Sequence, residues 1–202
     1  MSAEPALTAD PGAVAPGPPP TPDLFRKAMA EFATGVTVVT GMEDGGEPVG
    51  FACQSFTSVS LEPPLVLFCA DHRGRSWPRI RAAGRFCVNV LGEDQRDLCS
   101  RFGSSKGRKY EDLDWEVSPW GTPSLPEVLL RVHAGIENVH RAGDHDVVIG
   151  RVLAVETPLA ETGRQDGENR ERPMIFFRSR FGIEEPDGPI APYPWSRGDR
   201  WG

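Results

Sequence analysis

No apolar run in this 202-residue chain approaches the length of a bilayer crossing, so no membrane-spanning helix is expected. No apolar stretch precedes Arg26, the first basic residue, and no secretory leader is expected; the reading is of a soluble, cytoplasmic protein. Cysteine is scarce. The four residues Cys53, Cys69, Cys87 and Cys99 have no metal-ligand spacing, and three of them sit inside apolar runs, which points to reduced core thiols and to no metal site. Basic excess is missing too: 22 Lys and Arg stand against 29 Asp and Glu, for a net charge of −7 and a pI near 5.2. The basic residues are scattered, which argues against nucleic acid or an anionic membrane surface as partner. No GxGxxG follows a strand-like run, which disfavours a Rossmann domain; any nucleotide would have to be held by other means.

What is present organises around residues 50–70, GFACQSFTSVSLEPPLVLFCA. Val49–Phe56 and Leu65–Cys69 read as core strands, the second being too short for a helix. Between them Gln54, Ser55, Thr57, Ser58 and Ser60 carry hydrogen-bond donors, and Pro63 and Pro64 are expected to end ladder pairing. Such a run suits an anionic or heteroaromatic ligand. It equally suits exposed strand and turn positions that bind nothing.

Residues 1–21 are Pro-rich with almost no large apolar group and read as an extended arm. Thr21 then offers a cap, Pro22 suits the first helical position, and Leu24, Phe25, Ala28, Met29 and Phe32 recur at helical spacing, predicting an amphipathic helix of about three turns ending at Phe32 or Ala33. Val36–Thr40 reads as a strand, and Glu43–Glu47 as the turn of a hairpin into the central stretch. After a polar link at Asp71–Gly74, a short helix is expected over Ser76–Ala83, a strand over Arg85–Leu91, and another helix over Glu93–Phe102. The basic cluster Arg101, Lys106, Arg108 and Lys109 follows in a Gly/Ser-rich loop, where it suits either a phosphate or water. Val128–Val139 alternates, with Arg131, His133 and Glu137 expected on a wet face. His140–Asp146 reads as a turn into a second long strand, Val147–Glu156. Residues 157–172 read as loop, Met174–Phe177 as a last short strand, and residues 183–202 as a tail whose Tyr193, Trp195 and Trp201 are expected to dock. Six or seven mostly antiparallel strands with about three short helices and no βαβ alternation predict a mainly β fold, a closed or split barrel that leaves few edges.

Taken in order, FATGVTVVT (32–40), GFACQSFTSVSLEPPLVLFC (50–69), RSWPRI (75–80), GRFCVNVL (84–91), GDHDVVIGRV (143–152) and PMIFFR (173–178) resemble the short-chain flavin reductases that serve as reductase components of two-component flavin-dependent monooxygenases. The similarity runs over about residues 22–182 and is strongest to actinobacterial members serving aromatic hydroxylases in steroid degradation and secondary metabolism. It implies a split β-barrel flavin-binding fold, antiparallel and Greek-key, with a few short peripheral helices. It also implies a homodimer and reduction of FAD or FMN by NADH or NADPH, NADH being favoured, for a separate oxygenase. By the same resemblance, Gln54, Ser55, Phe56, Thr57, Ser58, Ser60 and Leu61 line the isoalloxazine and ribityl chain, and Arg75, Ser76 and Trp77 the flavin phosphate side. Arg101, Phe102, Lys109 and Tyr110 lie near the cofactor. His145 lies near the nicotinamide, where it positions the ring, and Phe177 with Arg178 helps to close over the dinucleotide; many relatives carry Tyr at the position of Phe177.

In such enzymes the two rings supply the electronics, so no side-chain nucleophile or metal is expected. A flavin- or haem-binding split-barrel protein without activity would keep the 54–61 run but not need the GDH turn or the 173–178 segment, and the presence of both favours an enzyme. A second alternative is a different oxidoreductase on the same barrel, such as a relative of pyridoxamine-phosphate oxidase; steady NADH oxidation that depends on added flavin separates all three.

Overall fold

The structure, a computed structural model, describes residues 17–104, 106, 108–158 and 172–181. Most of the expected arm, much of the 157–172 loop, and the tail with Tyr193, Trp195 and Trp201 lie outside the described residues. In chain order the elements are α1 (Pro22–Met29), β1 (Thr34–Gly35), β2 (Thr37–Met42), β3 (Pro48–Cys53), β4 (Thr57–Leu61), β5 (Pro64–Asp71), α2 (Ser76–Ala83) and β6 (Arg85–Val90). Then follow α3 (Arg96–Gly103), β7 (Glu116–Val117), β8 (Pro123–Ser124), β9 (Leu130–Ala142), β10 (His145–Glu156), β11 (Ile175–Phe177) and β12 (Arg180–Phe181).

Seven strands form one sheet in the order β3-β2-β6-β9-β10-β5-β4, with every pairing antiparallel. The sheet curls until β3 comes back beside β5. The rings of Phe51 and Phe68 stand 6.0 Å apart across that gap, and Ser55 bonds to the backbone of Cys69. No strand ladder closes it, so the barrel is split. Inside the curl Phe68 packs edge-on against Phe86 and Trp77, at centroid distances of 5.0 and 5.9 Å, among Val39, Val88, Ala134 and Val148. A second cluster of Val36, Val38, Leu91, Phe102, Leu125, Val128 and Met174 lies on the other side of β2, which is therefore buried on both faces. Its two threonines find partners: Thr37 Oγ1 donates to the Cys53 carbonyl at 2.9 Å, and Thr40 Oγ1 to that of Pro123 at 2.6 Å. Buried Asn89 uses both ends of its amide, donating to Val38 O and accepting from Leu125 N–H.

The hairpin β9–β10 is longer than its alternation suggests. Both strands run through the expected His140–Asp146 turn, and the reversal shrinks to Gly143 and Asp144, with Gly143 at φ +62°. The wet face expected on β9 is also corrected. Glu137 is exposed, but His133 is completely buried and Arg131 nearly so, because the 116–124 hairpin folds over them. Trp120 stacks on His133 at 4.5 Å, and Thr122 Oγ1 lies 2.8 Å from its Nδ1.

Helix α1 begins as the sequence predicts, with Thr21 Oγ1 accepting the Leu24 N–H. It stops a turn early, because residues 31 and 32 bond back only three positions and the Ala30 carbonyl takes the Arg178 N–H instead. None of its residues is buried; Leu24, Phe25 and Met29, with Phe32 just beyond, expose their apolar groups. Helix α2 occupies the expected residues. Helix α3 starts later than Glu93, since the Glu93 N–H bonds to the Arg172 carbonyl and Gly92–Gln95 makes a turn.

Candidate functional site

Beside the free edge of β3 lies a cleft of about 1100 Å³, large enough for a nucleotide-sized ligand. One wall is Val49–Ala52 of β3. The second is the stretch from Asp71 through Arg73, Gly74, Arg75 and Ser76 to Trp77, and the third joins Phe102–Ser104 to Arg108–Glu111. Three side chains fasten the edge strand that would otherwise be open: Ser76 Oγ and Lys109 Nζ both donate to the Gly50 carbonyl, at 2.8 and 2.9 Å, and the Tyr110 hydroxyl donates to the Val49 carbonyl at 2.8 Å. Lys109 also reaches the Phe102 carbonyl at 2.9 Å, tying β3 to the end of α3. Residue 50 must be glycine for this approach, since a Cβ there would meet the Phe102 ring at 2.8 Å.

The cleft is rich in cations. Burial and the neighbouring Arg75 charge pull the Lys109 ammonium below its ordinary pKa. Arg79 is held by Glu43 and Glu47, and Arg73 by Asp71 at 2.9 Å, whose carboxyl those hydrogen bonds lower to about 2. Helix α2 opens into this cleft with Arg75 at its N-cap and no side-chain bond capping its first turn. Its leading N–H groups therefore remain complementary to negative charge.

Of the residues singled out by sequence, Arg75, Ser76, Trp77, Phe102, Lys109 and Tyr110 line this one cleft. Arg101 does not; its guanidinium donates to the Glu111 carbonyl at 2.8 Å, within the third wall's 108–111 segment. The 54–61 run begins where the β3 wall ends. It is no loop between strands, because Thr57–Leu61 forms the edge strand β4 and pairs with β5 from Leu61↔Pro64 onward, so the prolines do not end the ladder. Within it the Ser55 hydroxyl is already used: it accepts the Cys69 N–H at 2.8 Å and donates to the Cys69 carbonyl at 3.3 Å. Thr57 Oγ1 donates to the carbonyl of Ser58, and Phe56 is half-buried against the inner core. Among the described residues, the side chains of Gln54, Ser58 and Ser60 make no hydrogen bond, and Leu61 is 94 % exposed.

His145 opens β10 directly opposite Asp71, the last residue of β5, which sets it at the rim where Asp71 and Arg73 enter the cleft. Its Nδ1 lies 2.8 Å from Asp144 Oδ1, and that hydrogen bond lowers the Asp144 pKa. Phe177 and Arg178 lie elsewhere in the chain. The Arg178 guanidinium stands 5.0 Å over the Phe177 ring and pairs with Glu31 beside α1.

Sequence reasoning passed over Asp71, His72, Arg73 and Asp146. The signal was there, a dense polar run (DHRGR) directly after a buried strand and an acid directly after His145, but it read as a link. Asp146 is 6 % exposed and accepts from Trp77 Nε1 at 2.9 Å, His72 Nε2 at 2.9 Å and Arg81 at 3.3 Å. Those bonds hold its carboxyl below the ordinary aspartate range, Trp77 contributing most.

The flavin reductase like domain family matches residues 29–184. The chain belongs to that family. It is 46% identical over 174 residues to the flavin-dependent monooxygenase reductase subunit HsaB of Rhodococcus jostii, across 86% of this chain and 83% of that protein. Among solved structures it is similar to a nitrilotriacetate monooxygenase component B homologue from Mycobacterium thermoresistibile, at 40% identity and a TM-score of 0.74, covering 86% of this chain and 92% of that one. The NADH:FAD oxidoreductase SgcE6 of Streptomyces globisporus, solved with NAD and FAD fragments, superposes with a TM-score of 0.71 at 29% identity, over 83% and 94% of the two chains. The split-barrel fold and the short peripheral helices expected of flavin reductases are what this chain adopts.

Proposed function

We propose that this protein is an NADH-dependent flavin reductase that reduces FAD or FMN and releases it to a separate flavin-dependent monooxygenase. The observation that carries the reading is the cleft between β3, α2 and the 102–111 segment. Cationic side chains, the uncapped start of a helix and the edge of a β-strand meet there, a donor set suited to the phosphates of a flavin nucleotide. When bound, the flavin supplies an N5 atom that accepts the hydride leaving nicotinamide C4, so the chain's own work is binding and alignment.

In this reading Arg75, the remaining N–H of Lys109 and the backbone N–H of Ser76 at the start of α2 bind phosphate, with Trp77, Phe102 and Tyr110 forming apolar walls. Gln54, Ser58 and Ser60, which follow the β3 wall in the chain without lining the cleft and whose side chains make no hydrogen bond among the described residues, are assigned to the ring edge and ribityl chain. His145 at the rim holds the nicotinamide. Residues 22–182 form the reductase unit, flanked by 1–21 and 183–202, and the protein works in the cytoplasm. No helix of the described residues is long and apolar enough to cross a membrane.

A homodimer belongs to the same proposal. Val59 and Leu61 on the edge strand β4, with Leu153 and Val155 on β10, expose apolar side chains that a second copy would cover. Sedimentation at micromolar concentration checks this, and a monomer would refute it. For the reaction, NADH and NADPH consumption is measured with FAD, with FMN and with no flavin. Consumption of NADH that requires added flavin supports the proposal. No turnover with either flavin overturns it.

A further inference from the structure

The four residues Arg73–Ser76, which supply the cleft's second wall, are bracketed by two bonds to one buried carboxylate. His72, just before them, reaches Asp146 Oδ1 at 2.9 Å; Trp77, just after them, reaches Asp146 Oδ2 at 2.9 Å. Arg81, one turn further along α2, adds a third bond at 3.3 Å. Asp146 in turn follows His145 directly on β10, and the backbone N–H of His72 bonds to the carbonyl of Asp144 in the same turn at 3.0 Å. A side chain that is 8 % exposed and uses both oxygens against three partners from one helix and its lead-in has little freedom to shift.

We propose that Asp146 is a positioning residue that fixes the cleft wall Arg73–Ser76 and the His145 turn relative to one another, so that one carboxylate sets both halves of the ligand site. The ladder β5–β10 alone cannot do this. Its last pair is His145↔Asp71, and the chain leaves the sheet at the point where the wall begins. From that point Ser76 Oγ ties the wall to β3 through the Gly50 carbonyl at 2.8 Å. Removing the carboxylate's charge weakens the side-chain ties of both ends of the wall to β10, leaving the His72 backbone bond to Asp144, and the loss falls on binding and alignment together. The inference rests on the assignment of His145 to the nicotinamide and of Arg75–Trp77 to the flavin.

The test compares Asp146→Asn, His72→Leu and His145→Ala with the unmodified protein. The readouts are melting temperature, FAD affinity by titration without NADH, and the KM for NADH at saturating FAD. Asp146→Asn is expected to raise both the FAD dissociation constant and the KM on the order of tenfold. His72→Leu, which removes one bracket at a side chain 30 % exposed and so leaves the fold intact, should raise both about threefold. A lowered melting temperature with FAD affinity and KM unchanged in either variant would make Asp146 merely structural and overturn the proposal, as would a change confined to one ligand. His72→Leu decides the matter if Asp146→Asn yields no folded protein. Failure of the underlying site reading looks different: His145→Ala would then leave the KM for NADH unchanged, which removes the nicotinamide half of the proposal as well.

Discussion

Tyr110→Phe separates two roles that the cleft assigns to one residue. The ring lines the cleft and packs edge-on against Phe102 and Trp115, at 5.2 and 5.3 Å, while the hydroxyl donates to the Val49 carbonyl at 2.8 Å. Burial pushes that phenol far above the ordinary tyrosine range, so it is a fixed donor. Phenylalanine keeps the ring and removes the bond. A neutral hydrogen bond contributes about 1 kcal/mol, and a carbonyl left without its partner adds to the cost, for an expected loss of about 1–2 kcal/mol. In a domain of this size that lowers the melting temperature by roughly 2–8 °C. Flavin affinity should change less than about threefold, since the ring that lines the cleft is retained. Urea denaturation and flavin titration on the same preparation read both quantities. Unchanged stability with flavin affinity reduced tenfold or more would refute the assignment, because the hydroxyl would then serve the ligand and not β3.

Ser55→Ala should cost about 1–2 kcal/mol in denaturant unfolding, because the Cys69 N–H loses its partner and the Cys69 carbonyl keeps only the long Cys53 thiol contact where the barrel is split; an unchanged midpoint would mean that this clip does not hold the gap. Acid sensitivity should come in two limbs. Burial lowers the His133 pKa below 6.5, so from about pH 6.5 downward the unfolded chain binds a proton that the folded chain does not, and stability falls until the folded pKa is reached. The depressed carboxylates, Asp71 at about 2 with Asp144 and Asp146 lowered, give stability that is complete above about pH 4 and is lost as pH falls through their folded values. His133→Gln should abolish the first limb and keep the second; a profile flat from about pH 7 to pH 5 in the unmodified protein would contradict the first.

The sequence made the buried elements legible because their signals are local. Val36–Thr40, Leu65–Cys69 and Arg85–Leu91 are apolar and β-branched enough to admit only core strands, and Ser76–Ala83 carries its helix in its own spacing. Where the outcome depended on distant chain, the signal failed. Thr57–Leu61 is polar and exposed, with nothing to mark it as a strand, and pairs because β5 offers an edge. His133 alternates as a wet residue should, and is buried only because Trp120 and Thr122 fold over it. The site was legible through resemblance, which aligns residues but measures no distances. It gathered Arg75, Ser76, Trp77, Phe102, Lys109 and Tyr110 without showing that they share one cleft, and it carried no sign that Phe177 and Arg178 lie beside α1. Asp146 escaped because a buried carboxylate with partners some seventy residues away leaves no periodic trace.

On the proposed function, the protein reduces flavin and lets it go. Anaerobic mixing of a small amount of protein with NADH and a large excess of FAD, followed by ultrafiltration, tests it most directly. Reduced flavin should pass the membrane mole for mole with the NADH consumed, far beyond the amount of protein present. Flavin that is reduced only to the extent of the protein and stays with it, or NADH that is not consumed, would contradict the account.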